Sequence, residues 1–359
     1  MNCPHCGAAV VAGDAFCEAC GGDLDASVTA ATDTTPLDDT ADMARTHLLV
    51  PDGDGEAPGW GVDTSLPCAA CGARVADDGF CTVCGHKART RREHWTESPA
   101  ERLGGVCDKG IVHARNEDGM ALGLGRGTMV LVVCDGVTTA PDSDKASLVA
   151  SQTARDVVTA NPAPTGGIAA RVTHWEPVLH SACRAANAET VAVARTLGDP
   201  PEPPSCTFVA ALVDHDLIAT AWCGDSRAYW LPDGQSGEQL TVDHSLGTEM
   251  MRDGKTRAEA EADPACHTIT RWLGADSVDP TPEYRTRQVD RAGWLLVCSD
   301  GMWNYASDAD HLAELIAEAQ AGGAVTPTAI AESLAAYANG CGGHDNVTVA
   351  LARCEPPLP

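Results

Sequence analysis

Two carboxylates in this chain directly follow apolar segments that have the composition of buried β-strands. Residues 129–136 read MVLVVCDG, and residues 294–301 read WLLVCSDG. Short runs of β-branched residues and leucine indicate strands that are buried on both faces. Asp135 and Asp300 would then lie at strand ends, where a core residue would otherwise be expected. Two such strands, far apart in the chain, suggest that two carboxylates are brought to one place.

Further acidic residues occur beside predicted strands or in turn-forming segments. They are Glu117, Asp118, Asp225 and Asp345. Clustered carboxylates without a basic partner raise one another's pKa by repulsion, and a divalent cation removes that conflict. Oxygen-only ligation is typical of Mg²⁺ or Mn²⁺ rather than of zinc. The alternative is that each aspartate is only a turn former, because Asp-Gly and Asp-Asn are common turn dipeptides.

A second chemical pattern lies in the cysteines, eight of which form four CxxCG repeats. One set is Cys3, Cys6, Cys17 and Cys20, and the other is Cys68, Cys71, Cys81 and Cys84. This spacing lets paired thiolates reach one tetrahedral ion, and modules this short need the metal in order to fold. Disulfides or a redox pair are the alternatives, although a redox pair needs one such motif rather than four. We therefore predict two structural Zn²⁺ ions in two zinc ribbons, residues 1–22 and 67–87.

The charge balance excludes some classes of partner. Asp and Glu number 51 against 24 Lys and Arg, for a formal net charge of −27, so phosphate backbones would be repelled and no nucleic acid is expected. No apolar run reaches the roughly 18 residues of a membrane span. The N-terminus MNCPHCGAAV does not have the pattern of a secretory signal. We therefore expect a cytoplasmic protein with reduced thiols that does not bind a membrane.

Composition divides the rest of the chain. Residues 23–66 are acidic and lack apolar periodicity, which predicts a flexible linker. We interpret residues 88–101 as a hinge, 102–354 as the main domain and 355–359 as a tail.

The main domain contains consecutive strand candidates that are mostly separate from the helices. The strands are predicted at 129–134, 206–213, 217–223, 226–231, 294–298 and 346–353, and the helices at 146–158, 168–196, 310–320 and 327–339. For the last helix, Thr326 is the candidate N-cap and Pro327 the first helical residue. This order favours an antiparallel α+β fold over a Rossmann-type alternation.

Nine ordered motifs together resemble a known family. They are Asp108-Lys-Gly110, Asn116-Glu117-Asp118, Asp135-Gly136, Ser205-Cys-Thr207, Gly224-Asp225-Ser226-Arg227, Asp243-His244-Ser245, Thr270-Arg271-Trp-Leu-Gly274, Ser299-Asp300-Gly301 and Asp345-Asn346-Val-Thr348. The series is similar to the metal-dependent protein phosphatases, the PPM or type-2C serine/threonine family, in its bacterial form. The resemblance runs from about Val106 to Arg353, essentially the whole main domain.

The resemblance implies a four-layer αββα sandwich, in which two antiparallel sheets are flanked by helices. It also implies a site for two Mn²⁺ or Mg²⁺ ions, with a third in many members. Asp135 would bridge the two ions, Asp300 and Asp345 would complete one, and Glu117 with the Gly136 carbonyl would help to hold the other. Asp118 belongs to the same acidic group, and Asp225 would join Asp300 at the third ion. Residues 251–272 resemble the flap of bacterial members.

The implied activity is hydrolysis of phosphoserine and phosphothreonine in proteins. The proteins expected as substrates include those phosphorylated by cognate serine/threonine kinases. A hydroxide bridging two cations would attack phosphorus in line, without a covalent enzyme intermediate. The zinc ribbons would bind a protein partner. The alternatives are a catalytically silent scaffold of the same fold that binds phosphoproteins, and a two-metal nuclease, which the negative charge disfavours.

One position departs from the family pattern. Where the family has a phosphate-binding Arg, three residues before the Asn of the Asn-Glu-Asp motif, this chain has His113. Arg115 follows two residues later, and on a strand both side chains would share a face. We therefore predict that Arg115 binds the substrate phosphate, with His113 beside it as a proton donor. The alternative is that Arg115 faces solvent and His113 only packs.

Overall fold

The structure is a computed structural model that describes residues 64, 67–68, 70–256, 259–260 and 262–356. The chain divides into two units, Met1–Arg92 and Glu93–Pro359. The first predicted zinc ribbon, with its four cysteines, lies outside the described residues, as does the acidic linker apart from Thr64 and the predicted tail beyond residue 356.

We number thirteen strands and six helices among the described residues of the second unit. The strands are β1 (His94–Ala100), β2 (Leu103–Asp108), β3 (Gly119–Leu124), β4 (Thr128–Cys134), β5 (Ser205–Cys206), β6 (Phe208–Asp214), β7 (Leu217–Cys223), β8 (Arg227–Pro232), β9 (Glu238–Gln239), β10 (Leu273–Gly274), β11 (Glu283–Gln288), β12 (Gly293–Cys298) and β13 (Val347–Cys354). The helices are α1 (Ser143–Ala160), α2 (Ile168–Thr196), α3 (Leu246–Arg252), α4 (Asp300–Trp303), α5 (Ala309–Ala321) and α6 (Pro327–Gly340).

Two antiparallel sheets dominate this unit. The first has the strand order β1-β2-β13-β12-β8-β9, and the second has the order β11-β7-β6-β4-β3. Strands β5 and β10 form a separate pair. The last strand of the chain thus lies between β2 and β12, which places it in the middle of the first sheet. The predicted antiparallel α+β class is confirmed.

Both faces of the central strands are buried, and alternate residues enter different cores. In β4, Leu131 and Val133 join the cluster between the two sheets, whereas Val130 and Val132 pack against α1 and α2. The first sheet behaves in the same way, with its outer face packed against α5 and α6. The layers therefore run helix, sheet, sheet, helix, which confirms the four-layer αββα sandwich. This packing also explains why the strands read as continuous apolar runs.

The ends of α6 agree with the sequence signals. Thr326 is its N-cap, and the Thr326 side chain accepts a hydrogen bond from the Ala329 N–H at 3.2 Å. Pro327 begins the helix, as predicted. The helix continues one residue further than expected, because Gly340 is its last residue rather than the residue beyond it.

The predicted hinge at 88–101 is wrong over most of its length. Residues 94–100 form β1, which pairs with β2, so the unit begins at Glu93 rather than at residue 102. The segment HWTESPA lies at a sheet edge and is half exposed, so it lacks the apolar run that marks a central strand. Trp95 nevertheless packs against the core between the sheets. Strand β2 was also not predicted, because Gly104 and Gly105 interrupt its apolar pattern.

No helix among the described residues has both the length and the apolar character required to cross a membrane.

Candidate metal centre

The acidic residues meet because antiparallel neighbours alternate in direction. Gly119 of β3 pairs with Cys134 of β4, so Asp118 and Asp135 flank the same pair of the second sheet. In the first sheet, Cys298 pairs with both Val349 and Arg227. The residues just beyond these pairs include Asp300, Asp345 and Asp225, which lie at a common end of the sheet. The predicted convergence on one end of the sandwich is therefore built into the strand register.

The backbone of Asp135 is held by Thr207 from the loop between β5 and β6. The Asp135 N–H donates to Thr207 Oγ1 at 2.9 Å, and the Thr207 N–H donates to the Asp135 carbonyl at 2.8 Å. Thr207 Oγ1 is also 2.6 Å from Ser226 Oγ. Thr207 and Ser226 therefore position a carboxylate without contacting its oxygens.

Asp118 is anchored by two hydroxyl groups of the first sheet. Ser299 Oγ donates to Asp118 Oδ2 at 2.7 Å, and Thr348 Oγ1 donates to the same oxygen at 2.6 Å. Ser299 directly precedes Asp300, so these contacts connect acidic residues from both sheets. Asp118 is fully buried. The sequence assigned Asp118 to the metal group, and in the structure one of its carboxylate oxygens accepts hydrogen bonds from two hydroxyl groups.

Asn346 connects the start of β13 to the loop that carries Glu117. The Glu117 N–H donates to Asn346 Oδ1 at 2.7 Å, while Asn346 Nδ2 donates to the carbonyls of Lys109 and Arg115 at 2.7 and 3.0 Å. The Asn346 N–H donates in turn to Asp345 Oδ1 at 2.7 Å. This amide therefore fixes Glu117 relative to Asp345.

Burial and mutual repulsion raise the pKa values of several residues in the acidic group. Burial raises the pKa of Asp135 well above its usual range, and the charges of Asp118, Asp300, Asp345 and Asp225 raise it further. Burial likewise raises the pKa of Asp300, reinforced by Asp345 and Asp225. For Asp225, burial and Asp243 raise the pKa to about 7, although Arg227 opposes the change.

The donor set fits hard divalent cations. Buried Asp300 Oδ1 accepts no hydrogen bond from any described residue. No Lys or Arg in the described part of the chain forms an ion pair with Asp135 or Asp300. Oxygen ligands with excess negative charge match the preference of Mg²⁺ and Mn²⁺.

His113 and Arg115 lie in the loop between β2 and β3, so the expectation that they share a strand face is wrong. His113 lies between two acidic residues: its Nε2 is 3.4 Å from Asp345 Oδ1, and its Nδ1 is 3.8 Å from Glu117 Oε2. Arg115 Nε and Nη2 donate to Glu117 Oε1 at 2.9 and 2.6 Å. The Arg115 side chain is 48% exposed, and its Nη1 has no partner among the described residues. Gly136 follows Asp135 in the chain, and the Gly136 backbone pairs with that of Cys206.

The four cysteines of the second predicted ribbon converge in the first unit. Cys68 Sγ is 3.6 Å from Cys84 Sγ, and Cys71 Sγ is 3.4 Å from Cys81 Sγ. All four sulfurs lie within 4.8 Å of one another. Backbone N–H groups of Cys84 and Val83 lower the pKa of Cys81 to about 6, which favours the metal-binding thiolate. The cluster fits a tetrahedral zinc site.

A buried ion pair beside the acidic group was not recognised from the sequence. Arg227 Nη2 lies 2.6 Å from Asp243 Oδ2, and the Arg227 guanidinium lies 3.7 Å from the ring centroid of Trp303. Trp303 Nε1 donates to the Asp225 carbonyl at 2.9 Å. Both charged residues occur in motifs that the sequence singled out, but the motifs carry no signal of their pairing.

The comparisons with known proteins agree with this geometry. A model of the protein phosphatase 2C family matches residues 112–337, and a double zinc ribbon model matches residues 3–85. Protein phosphatase PhpP of Streptococcus pneumoniae is 35% identical over 144 residues, which are 40% of this chain and 55% of that protein. Serine/threonine protein phosphatase PstP of Mycobacterium tuberculosis is 32% identical over 261 residues, or 70% of this chain and 44% of that protein.

The structural comparison covers a similar share of the chain. The crystal structure of the Mycobacterium tuberculosis serine/threonine phosphatase PstP/Ppp matches with a TM-score of 0.57 and 27% identity, over 73% of this chain and 99% of that chain. The chain spans about half the length of the curated relatives it matches. Because the family model covers more than half of the chain, this chain belongs to the protein phosphatase 2C family, with a double zinc ribbon before the phosphatase domain.

Proposed function

We propose that this protein is a metal-dependent serine/threonine protein phosphatase that acts on phosphorylated proteins, including substrates of cognate kinases, in the cytoplasm. The observation that carries the proposal is the convergence of buried and half-buried carboxylates at one end of a protein phosphatase 2C sandwich. The named relatives, one a protein phosphatase and the other a serine/threonine protein phosphatase, support the same reaction.

Most of the acidic residues at this end of the sandwich are candidate metal ligands. Asp135, Asp300 and Asp345 would bind the cations, with Glu117 and the Gly136 carbonyl on a second ion. Asp225 would contribute to a third ion. Bound Mn²⁺ or Mg²⁺ would supply an activated water and neutralise the negative charge of the phosphoryl group. The protein's own contribution is to fix the carboxylates and to leave Asp135 and Asp300 partly open to solvent.

Phosphate recognition is assigned to Arg115. Its contact with Glu117 orients the guanidinium, and the Nη1 of this half-exposed side chain can donate to a phosphate oxygen. His113 would act beside it as the proton donor, because both ring nitrogens lie near the acidic group. Truncation of Arg115 to Ala should reduce kcat/KM on a phosphopeptide about ten- to hundredfold, equal to roughly 1.5–3 kcal/mol.

The matched control is Arg126→Ala, and His113→Ala tests the proposed proton donor. Arg126 is an exposed arginine in the turn between β3 and β4, at the opposite end of the sandwich, so its removal should leave kcat/KM unchanged. His113→Ala should chiefly change the acid side of the pH profile of kcat. If Arg115→Ala has no kinetic effect while His113→Ala carries the whole loss, the assignment of phosphate binding to Arg115 is wrong.

The proposed reaction is tested with the full chain and Mn²⁺, using a phosphothreonine peptide and single-stranded DNA as substrates. We expect metal-dependent phosphate release from the peptide and no cleavage of the DNA. Asp135→Asn removes charge with little change in volume, and it should reduce turnover below one tenth of the wild-type value in saturating Mn²⁺. Absence of peptide turnover with retained phosphopeptide binding would instead indicate a silent scaffold.

The zinc ribbons are proposed to hold one structural Zn²⁺ each and to dock a protein partner. The four-cysteine cluster of the second ribbon supports the metal assignment. Two exposed apolar side chains on that ribbon, Phe80 and Val83, support the docking role. Native mass spectrometry of the full chain should find two zinc ions, and Cys81→Ser should remove one of them. A wild-type chain that holds one ion or none would contradict the two-ribbon assignment.

A further inference from the structure

A segment between β9 and β10 forms a flap, and the two ends of this segment are hydrogen-bonded to each other at its base. Ser245 pairs with Ile269, and the Leu246 N–H donates to the Thr268 carbonyl at 2.9 Å. We define the flap as the described residues 246–256, 259–260 and 262–268. It begins earlier than the 251–272 that the family resemblance implies, because α3 belongs to it. The flap covers a cavity of about 180 Å³ above the sandwich.

The walls of this cavity combine apolar surface with uncharged polar groups and one internal ion pair. The uncharged polar residues are Gln239, Thr241, Ser245 and Thr248. Val242, Met251, Ala260 and Cys266 contribute aliphatic or thiol surface, and the rings of His267 and Trp303 close one side. Those rings are stacked, with centroids 5.7 Å apart.

The buried arginine in the wall already has its partners. Arg227 directs Nε and Nη2 to Asp243 and directs Nη1 to Tyr229 Oη at 3.2 Å. Because those donors are engaged, the one arginine in the described lining is not free to bind phosphate, and the one carboxylate there, Asp243, is already paired. An apolar group would therefore suit it better than a charged ligand.

The size of the cavity fits one side chain. A cavity of about 150 Å³ lined by apolar residues binds benzene, so a space of this volume accepts a leucine or phenylalanine side chain. Val242 is 42% exposed at the mouth, so the cavity can be entered from solvent.

The cavity is also adjacent to the candidate metal centre. Trp303 forms its wall, lies in the same short helix as Asp300, and donates to the Asp225 carbonyl at 2.9 Å. An extended peptide advances about 3.3 Å per residue. A residue a few positions from a phosphothreonine in the metal centre can therefore place its side chain in the cavity.

We propose that the cavity beneath the flap binds one apolar side chain of the phosphoprotein substrate, at a fixed distance from the phosphorylated residue. This proposal rests on the proposed phosphatase function. It makes Met251, Val242 and Trp303 determinants of substrate sequence, through burial of apolar surface between the flap and the sandwich.

The test uses alanine-based phosphothreonine peptides that carry a single leucine or phenylalanine, placed in turn at each of four positions on either side. Hydrolysis of p-nitrophenyl phosphate, which has no flanking residue, is measured in parallel with Mn²⁺ and the full chain. One position should be preferred about tenfold in kcat/KM over alanine, which is a typical gain for filling an apolar pocket. A flat profile across all positions would overturn the proposal.

Substitutions at two adjacent methionines test whether the cavity is the source of this preference for an apolar residue. Met251→Trp should fill the cavity and abolish the preference, and Met251→Ala should reduce it to about threefold, because fewer contacts remain. Met250 is in the same helix but lies outside the cavity, with its Sδ 3.4 Å from Lys255 Nζ, so Met250→Trp and Met250→Ala should retain the preference. The readout is the ratio of leucine to alanine peptides within each variant, so a change in overall activity does not affect it.

The outcomes separate this proposal from the one on which it rests. If neither the peptides nor p-nitrophenyl phosphate are hydrolysed with Mn²⁺, the proposed phosphatase function fails. If both are hydrolysed but the preference survives in both Met251 variants, the side chain binds elsewhere and the cavity proposal is wrong. The same conclusion follows if the Met250 variants lose the preference equally.

Discussion

Two buried threonines should respond in opposite ways to the same substitution, because only one of them donates a hydrogen bond to Asp118. Thr348 Oγ1 lies 2.6 Å from Asp118 Oδ2, within the range of a hydrogen bond to a charged acceptor. Thr220 is equally buried in the second sheet, but its Oγ1 has no hydrogen-bond partner among the described residues. Replacement by valine removes the hydroxyl and nearly preserves the shape at both positions.

The expected magnitudes follow from these partners. Thr348→Val should lower the free energy of unfolding by about 1.5–3 kcal/mol, because a buried carboxylate loses a donor. At roughly 2–4 °C per kcal/mol for a domain of this size, Tm should fall by about 3–12 °C. Thr220→Val should instead raise the stability, by up to about 1–3 kcal/mol, because an unpaired hydroxyl no longer has to be desolvated.

Differential scanning calorimetry of the full chain measures both variants, and the transition of the phosphatase domain is the readout. A double-mutant cycle with Ser299→Ala then tests whether the two hydroxyls act together on Asp118, for which a coupling of about 0.5–3 kcal/mol is expected. If Thr348→Val is as stable as the wild type, the carboxylate does not depend on this donor. If Thr220→Val is destabilised as much as Thr348→Val, the cost comes from packing rather than from hydrogen bonding.

Three further substitutions test the backbone and the surface charges. Gly301→Ala should cost about 3 kcal/mol or more and reduce the soluble yield, because its Cβ would lie 1.9 Å from the Asn346 carbonyl oxygen. Gly340→Ala, where a Cβ meets nothing within 4 Å, should raise stability by about 0.5–1 kcal/mol, and equal thermal unfolding of the two variants would contradict this contrast. Arg171 holds the pKa of Asp216 below its usual value, so this pair stabilises the fold above the unfolded-state pKa and the contribution is lost as pH falls through the folded-state pKa. Asp216→Asn should therefore cost about 0.5–1 kcal/mol at pH 7 and progressively less as the pH falls below the unfolded-state pKa, and a pH-independent loss would show that the ion pair is not the cause.

Several candidate site residues were proposed from the sequence because their signals are local. Asp135 and Asp300 each end an apolar run, and a carboxylate in that place is unusual enough to indicate a ligand. The zinc-ligand spacing is equally local, and the cluster of Cys68, Cys71, Cys81 and Cys84 follows it. The central strands and four of the helices were found within a few residues, because continuous burial or a helical period marks them.

Other features had no local signal. Strand β1 is short of apolar residues, since it covers only a sheet edge, and was therefore interpreted as a hinge. His113 and Arg115 were placed on a strand from their spacing alone. The loop between β2 and β3 instead directs Arg115 to Glu117 and places His113 between Glu117 and Asp345.

The sequence by itself determined which chemistry the chain can offer: carboxylates for divalent cations, thiolates for zinc, and strands that must be buried on both faces. Only the tertiary structure decided which groups meet. Thr348 and Asp118 are 230 residues apart, and their hydrogen bond exists because β13 inserts between β2 and β12. Strand register joins residues that are distant in sequence, and no local composition specifies which hydroxyl will face which carboxylate. The cavity beneath the flap arises in the same way, from the packing of α3 over Arg227, Asp243 and Trp303.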